Sequence, residues 1–329
     1  MVVGFVNERA CLFLKKGGGG NLSDDKHEET FQNTLEILEK HREAGKVLQE
    51  IKQLLGDLVK PGVRCIDICE KVEAAIIERG AKPAFPCNIS INNVAAHYTS
   101  PVGDTLTIKD GDVVKVDFGA HIDGYIADTA VTFCFNPDLL SLKEAADEAL
   151  KSALKLIAPG VETNTVGGEI EKIIKEYGFR PVRELSGHLL SQYVLHGGKV
   201  IPNISLPHGA KIEEGEVYAV ETFASTGSGS VSEAPYAYIF SIQPVLAPIR
   251  LREARRIVRF VEGEYKTLPF AERWLAKQFS RGRLRLALRE LASKGILRQY
   301  KVLSDRKGSY VAQAEETVIV SDDGCEVIT

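Results

Sequence analysis

Residues 108–120, IKDGDVVKVDFGA, align without gaps on residues 212–224, IEEGEVYAVETFA. Residues 61–80, PGVRCIDICEKVEAAIIERG, match residues 159–178, PGVETNTVGGEIEKIIKEYG, in helix pattern and in the glycine that ends it. A chain that repeats a helix and then a strand at this length implies two related halves. In the strand alignment Asp117 falls on Glu221, so each half places an acid at the same strand position. A core strand ordinarily carries Val or Ile there, and a buried carboxylate without a partner is costly. The repeated acid therefore points to function rather than to packing.

The segment VDFGAHIDGYIADTA extends that argument. Asp123-Gly124 between two alternating runs is a two-residue hairpin signal, because both turn positions need positive φ. That turn sets Asp128 opposite Gly119, two residues beyond Asp117. Alternation then puts both aspartates on one face as diagonal neighbours about 7 to 8 Å apart. Carboxylates at that spacing suit a pair of cations roughly 3.5 to 4 Å apart. For two carboxylates alone a turn cap and an arginine partner are the default explanation, so further ligands decide. LSGHLLSQYVLHGGKVIPN offers His188 and His196, YAVETFAS offers Glu221, and YVAQAEETVIV offers Glu315 in an otherwise apolar late strand. Four carboxylates and an imidazole make an oxygen-rich set suited to Mn, Fe, Co or Zn, the requirement of a dinuclear hydrolase.

Helical periodicity predicts helices over residues 28–58, 67–78, 141–156 and 165–176, with Pro61-Gly62, Gly80, Pro159-Gly160 and Gly178 as stops. Residues 1–27 contain four consecutive glycines and read as a flexible tail or as a rarely used upstream start, which leaves 28–329 as the folded unit. Six scattered cysteines without CxxC spacing fit a reducing compartment, and no run approaches the roughly 20 apolar residues of a membrane span. A cytoplasmic protein is expected, without a membrane partner.

Taken in order, FPCNISINNVAAHYTSPVGD, VDFGAHIDGYIADTA, GHLLSQYVLHGGKVIPN, VETFASTGSG and VAQAEETVIV resemble the successive motifs of the type II methionine aminopeptidases of the archaeal and eukaryotic branch, over about residues 28 to 329. The resemblance implies an α+β pita-bread fold with a pseudo-twofold, and removal of an initiator methionine from nascent chains when the next residue is small. It implies two divalent ions: Asp117 chelating one, Asp128 and Glu315 bridging both, His188 and Glu221 completing the other. Glu221 would also handle the proton of the attacking water. His196 would stabilise the tetrahedral oxyanion and His97 would contact the scissile amide, while Phe85 and Leu195 would line the methionine pocket, ordinary core being the competing reading for those two. A monomer is the family-level expectation. The sequence departs at Ala314 and Glu316, where the family carries an aromatic and a histidine beside the last bridging glutamate. Ala314 removes bulk, and period 2 turns Glu316 away from the site.

Residues 250–310 carry 17 Lys/Arg against 6 Asp/Glu in a chain of net charge −4. Within them, LPFAERWLAKQFSRGRLRLALRELASKGILRQYKVL reads as helix, turn, helix and strand, with Gly282 in the turn and Leu284, Leu286, Leu288 and Leu291 packing inward in part. It resembles the winged-helix-like insert of type II enzymes, set at 248–308, with Arg281, Arg283, Arg285 and Arg289 in solvent. Nothing in it reads bases, so a weak, salt-dependent attraction to ribosomal RNA is expected rather than specific DNA binding. Two rivals share the scaffold. A prolidase or Xaa-Pro aminopeptidase usually carries a substantial N-terminal domain, where only 27 residues precede the first helix here. A catalytically silent RNA- or protein-binding relative would have lost ligands.

Overall fold

The computed structural model describes residues 24–329. The glycine run, Cys11 and most of the expected tail, residues 1–23, lie outside the described residues, and the first helix begins at Asp24 rather than Glu28. In chain order the first half holds helices α1 (Asp24–Leu58) and α2 (Cys65–Glu78) and strands β1 (Lys82–Pro83), β2 (Asn88–Ile91), β3 (Val94–Ala96), β4 (Val113–Ile122) and β5 (Tyr125–Cys134). The second half holds α3 (Leu140–Leu154), α4 (Thr163–Glu176), β6 (Arg180–Pro181), β7 (Ser186–Leu190), β8 (Val200–Pro202) and β9 (Val217–Ser225). α2 and α4 occupy matching positions in the repeat alignment, and β4 and β9 start at matching residues.

One 10-stranded sheet joins the halves in the order β1-β4-β5-β13-β9-β7-β8, where β13 is Val311–Val320; β14 (Cys325–Val327) pairs with β13, β2 with β4 and β6 with β9. The helical spacing of α1 buries Ala44, Leu48, Ile51 and Leu55 in a core shared with β4 and β5. A second core lies between α3, α4, β9 and β13 and takes in Ala314, which is 5% exposed, so the small residue is accommodated by packing. The β4–β5 hairpin keeps an unbroken register from Val113↔Cys134 to Ile122↔Tyr125, with Gly119 opposite Asp128 and Asp117 opposite Ala130. Asp123 (φ 50°) and Gly124 (φ 90°) supply the turn that the Asp-Gly pair predicts. The five described cysteines are unpaired, and no described helix is long and apolar enough to cross a membrane.

The basic insertion has its own core and draws in β10 (Ser232–Ile242), upstream of the expected start at 248. Its remaining elements are α5 (Arg252–Glu264), β11 (Phe270–Ala271), α6 (Glu272–Leu275), α7 (Arg281–Ser293) and β12 (Leu297–Ser304). The four-stranded sheet β11-β10-β12-β3 borrows β3 from the first half. Three expectations need correction. The first helix of the anticipated helix-turn-helix is a four-residue turn, and α5 precedes it. Gly282 lies inside the first turn of α7, because the chain enters that helix at Ser280. Leu286 is 61% exposed: α7 buries Leu284, Ala287, Leu288 and Leu291 at spacings of three and four, which leaves position 286 on the solvent face with the four arginines.

Candidate active site

Five neighbouring strands, β4, β5, β13, β9 and β7, each contribute one polar side chain, in that order Asp117, Asp128, Glu315, Glu221 and His188. Glu315 is the direct partner of Glu221 on one side and of Ala130 on the other, and Ala130 is also the partner of Asp117. β5 and β13 are further stitched by hydroxyls. Thr317 Oγ1 accepts from Asp128 N and donates to Asp128 O, both at 2.7 Å, and Thr129 Oγ1 donates to Glu315 O at 2.8 Å. These threonines hold the two acids at fixed depth.

All nine residues singled out by the sequence line one cavity: the five above with His97, His196, Phe85 and Leu195. Ligand atoms of Asp128, His188 and Glu315 lie within 4.8 Å of one another, and His188 Nε2 stands 3.8 Å from Asp128 Oδ2. Asp117 and Glu221 flank that group and are partly open to the cavity. Burial pushes Asp117 up to about 7. Burial, then the Asp117 and Glu221 charges, push Asp128 well above the carboxylate range; burial and then Asp117 do the same to Glu221. Glu315 follows through burial and then Asp128, Glu221 and Asp117. Burial lowers His188 to about 4. No lysine or arginine is among the lining residues. Asp117 Oδ1 and Asp128 Oδ1 are buried without a hydrogen-bond partner. Crowded acids, a neutral imidazole and orphaned acceptors form a set that divalent cations fit and that protein groups leave incomplete.

His97 and His196 line the same cavity. His97 has φ 67°, a left-handed conformation uncommon for a side chain larger than glycine, and it follows β3 directly. Its Nδ1 lies 3.2 Å from Lys301 O, and a carbonyl only accepts, so Nδ1 carries the proton. Burial lowers its pKa to about 4, leaving Nε2 a free acceptor. The His196 ring is 4.5 Å from that of His188, and desolvation followed by the His188, Arg298 and His97 charges keeps it neutral. Tyr300 packs against both, 5.7 Å from the His97 ring and 6.3 Å from that of His196. Phe85 lies against Gly119, where a Cβ would meet its ring at 2.4 Å, so the glycine opposite Asp128 makes room for that wall. Leu195 completes the apolar side. Glu316 points away: Lys52 Nζ donates to it at 2.6 Å and Thr329 Oγ1 at 2.6 Å.

Several lining or supporting residues have no counterpart among the sequence-based expectations. Gln313, 1% exposed, donates from Nε2 to Glu221 Oε2 at 3.2 Å and to Glu315 Oε2 at 3.3 Å. Its position two residues before Glu315 in the same strand is the available signal. Tyr300 reaches the cavity from the insertion, and Asn88 from β2. Glu73 of α2 pairs with the insertion's Arg273 and accepts from Trp274 Nε1 at 2.7 Å, while accepting from Cys87 N at 3.0 Å. The insertion is thereby tied to the segment that carries Phe85 and Asn88.

Residues 39–253 match the model of metallopeptidase family M24. A methionine aminopeptidase of Pyrococcus horikoshii is 47% identical over 288 residues, which covers 87% of this chain and 97% of that protein. Among solved structures, one of a thermophilic Arx1 superimposes with a TM-score of 0.77 at 22% identity, covering 89% of this chain and 90% of the other. A methionine aminopeptidase from Thermotoga maritima does so with a TM-score of 0.66 at 21% identity, covering 89% and 96%. At these identities the structural likeness establishes the pita-bread fold with its two related halves.

Proposed function

This chain belongs to metallopeptidase family M24, among its methionine aminopeptidases, and on that premise we propose that Asp117, Asp128, His188, Glu221 and Glu315 hold two divalent ions at the floor of the cavity. The enzyme is a hydrolase that removes the initiator methionine when the second residue is small. The observation that carries the site assignment is the sequence of five adjacent strands, each presenting one donor to a single cavity. Four carboxylates and an imidazole exceed what one ion needs, and Co, Mn, Fe and Zn all suit them. When bound, such ions supply Lewis acidity that polarises the scissile carbonyl and makes water nucleophilic near neutral pH.

The chain's own groups supply the rest. Phe85 and Leu195 take the thioether side chain on the apolar wall. His97 Nε2, left as an acceptor by the bond from Nδ1 to Lys301 O, receives the scissile amide N–H. His196, neutral, donates its one N–H to the developing oxyanion. Glu221 takes the proton from the attacking water and passes it towards the leaving amine.

The basic insertion, which the type II enzymes carry, supports a type II assignment and a weak attraction of the exposed α7 arginines to ribosomal RNA near nascent chains. The test is an assay of Met-Ala-Ser and Ala-Pro peptides with metal added to metal-free enzyme. Cleavage of Met-Ala-Ser alone is expected. Cleavage of Ala-Pro alone would move the chain to the prolidases, and cleavage of neither would make it a silent scaffold.

A further inference from the structure

Asn88 is the one uncharged carboxamide lining the cavity among the described residues, and it is 4% exposed with its Oδ1 buried and unpartnered. A buried amide oxygen without a donor carries its full desolvation cost, so such an atom in a native cavity asks for a ligand. Its placement is fixed from several sides. Asn88 is the direct antiparallel partner of Asp117, which puts the two side chains next to each other on one face. The peptide before it is clamped at both ends: Cys87 N donates to Glu73 Oε1 at 3.0 Å, and Cys87 O accepts from Thr99 Oγ1 at 2.7 Å and Cys69 Sγ at 3.2 Å. Glu73 is itself held by Arg273 and Trp274 of the insertion. A group positioned this firmly is preorganised for recognition.

An N-terminal methionine offers three groups to the cavity. The thioether and the carbonyl are acceptors only, and with the scissile amide N–H assigned to His97 the free α-amino group is the remaining source of N–H donors. We propose that Asn88 is a specificity-determining residue that accepts a hydrogen bond from the substrate's free α-amino group. This inference rests on the aminopeptidase reading of the cavity. It gives the enzyme a protein-borne contact to the group that marks the chain terminus.

The experiment compares the metal-loaded wild type with Asn88→Ala and with Asn88→Leu, which keeps the branched outline without the amide. Binding of L-methionine, L-norleucine and the des-amino analogue 4-(methylthio)butanoate is measured by calorimetry. Loss of about tenfold for both amino acids, with the des-amino analogue within twofold, is the expected result. Loss confined to methionine would assign Asn88 to the sulfur and overturn the proposal. Equal loss for all three ligands, or none, would reduce Asn88 to packing and overturn it as well. Should both variants fail to fold, the side-chain amide resonances of Asn88 in the wild type decide: they shift with L-methionine beyond the shift seen with the des-amino analogue, and equal shifts refute the assignment. Wild-type protein that binds none of the three would refute the aminopeptidase reading itself, whereas methionine binding unchanged by the variants refutes only the role of Asn88.

Discussion

Glu221 and Glu315 face each other directly across the β9–β13 ladder, and one carboxamide, that of Gln313, donates to both. Two carboxylates opposed in adjacent strands repel unless something bridges them. Gln313 sits two residues before Glu315 on the same strand face, so it stands beside the acids it orients. Its hydrogen bonds favour the charged forms of Asp117 and Glu221 against the burial that raises them.

Gln313→Leu should therefore weaken divalent-ion binding about 10- to 100-fold, the usual cost of removing a group that orients metal ligands. The measure is metal titration of metal-free protein. Fold should persist, because Leu fills the same volume in a buried strand. Unchanged affinity would mean that Gln313 merely packs.

Gly119→Ala places a Cβ 2.4 Å from Phe85 Cε1 and 3.1 Å from Ala127 O. The Phe85 ring must move, and it forms the wall assigned to the methionine side chain. KM for Met-Ala-Ser should rise about tenfold with kcat changed less, matching an overpacking cost of about 1 to 3 kcal/mol at one wall. A change in kcat alone would place the lesion at the acids instead.

The hairpin register and the repeat are legible in the amino-acid sequence because short-range chemistry sets them. Asp123-Gly124 admits essentially one two-residue turn, and once it is placed every residue from Val113 to Cys134 has its partner. Asp117 and Glu221 stand out because an acid in an apolar strand has no packing rationale. Asn88 and the Glu73–Arg273 pair do not, since each depends on elements far apart in the chain meeting in space, and nothing local to positions 73, 88 or 273 announces it. The insertion is readable in composition and blurred in its boundaries. Leu286 shows why: four leucines in a short basic run look like a core, and only the phase of α7 reveals which of them faces water.

Asp305 lies where β12 returns to the main sheet and is 4% exposed. Burial alone would raise its pKa, yet donors from Ser225 Oγ (2.6 Å), Ser228 Oγ (2.6 Å), Ser228 N, Gly229 N and Arg306 N bring it down to about 2. A carboxyl depressed in the folded state adds stability above its unfolded value of about 3.9 and loses it as pH falls through the folded value. Asp305→Asn should cost about 2 kcal/mol in urea unfolding at pH 7. The gap between wild type and variant should shrink as pH drops below about 4, and a gap that stays constant with pH would refute the electrostatic account.

Arg281, Arg283, Arg285 and Arg289 are all exposed on α7, the helix whose opposite face is buried in the insertion's own core. None of them lines the cavity. Contacts from such side chains to a phosphate backbone release counterions, so affinity falls with salt by about 0.7 to 0.9 log units per decade for each phosphate neutralised. Ribosome co-sedimentation of the enzyme should accordingly drop about tenfold between 50 and 200 mM salt if two phosphates are engaged, and more steeply if the number is larger. Arg281→Glu with Arg283→Glu should lower it further at low salt, while kcat/KM on Met-Ala-Ser stays within twofold because the cavity is untouched. Association indifferent to both salt and charge reversal would remove nucleic acid as the insertion's partner and leave these arginines as a solvated face.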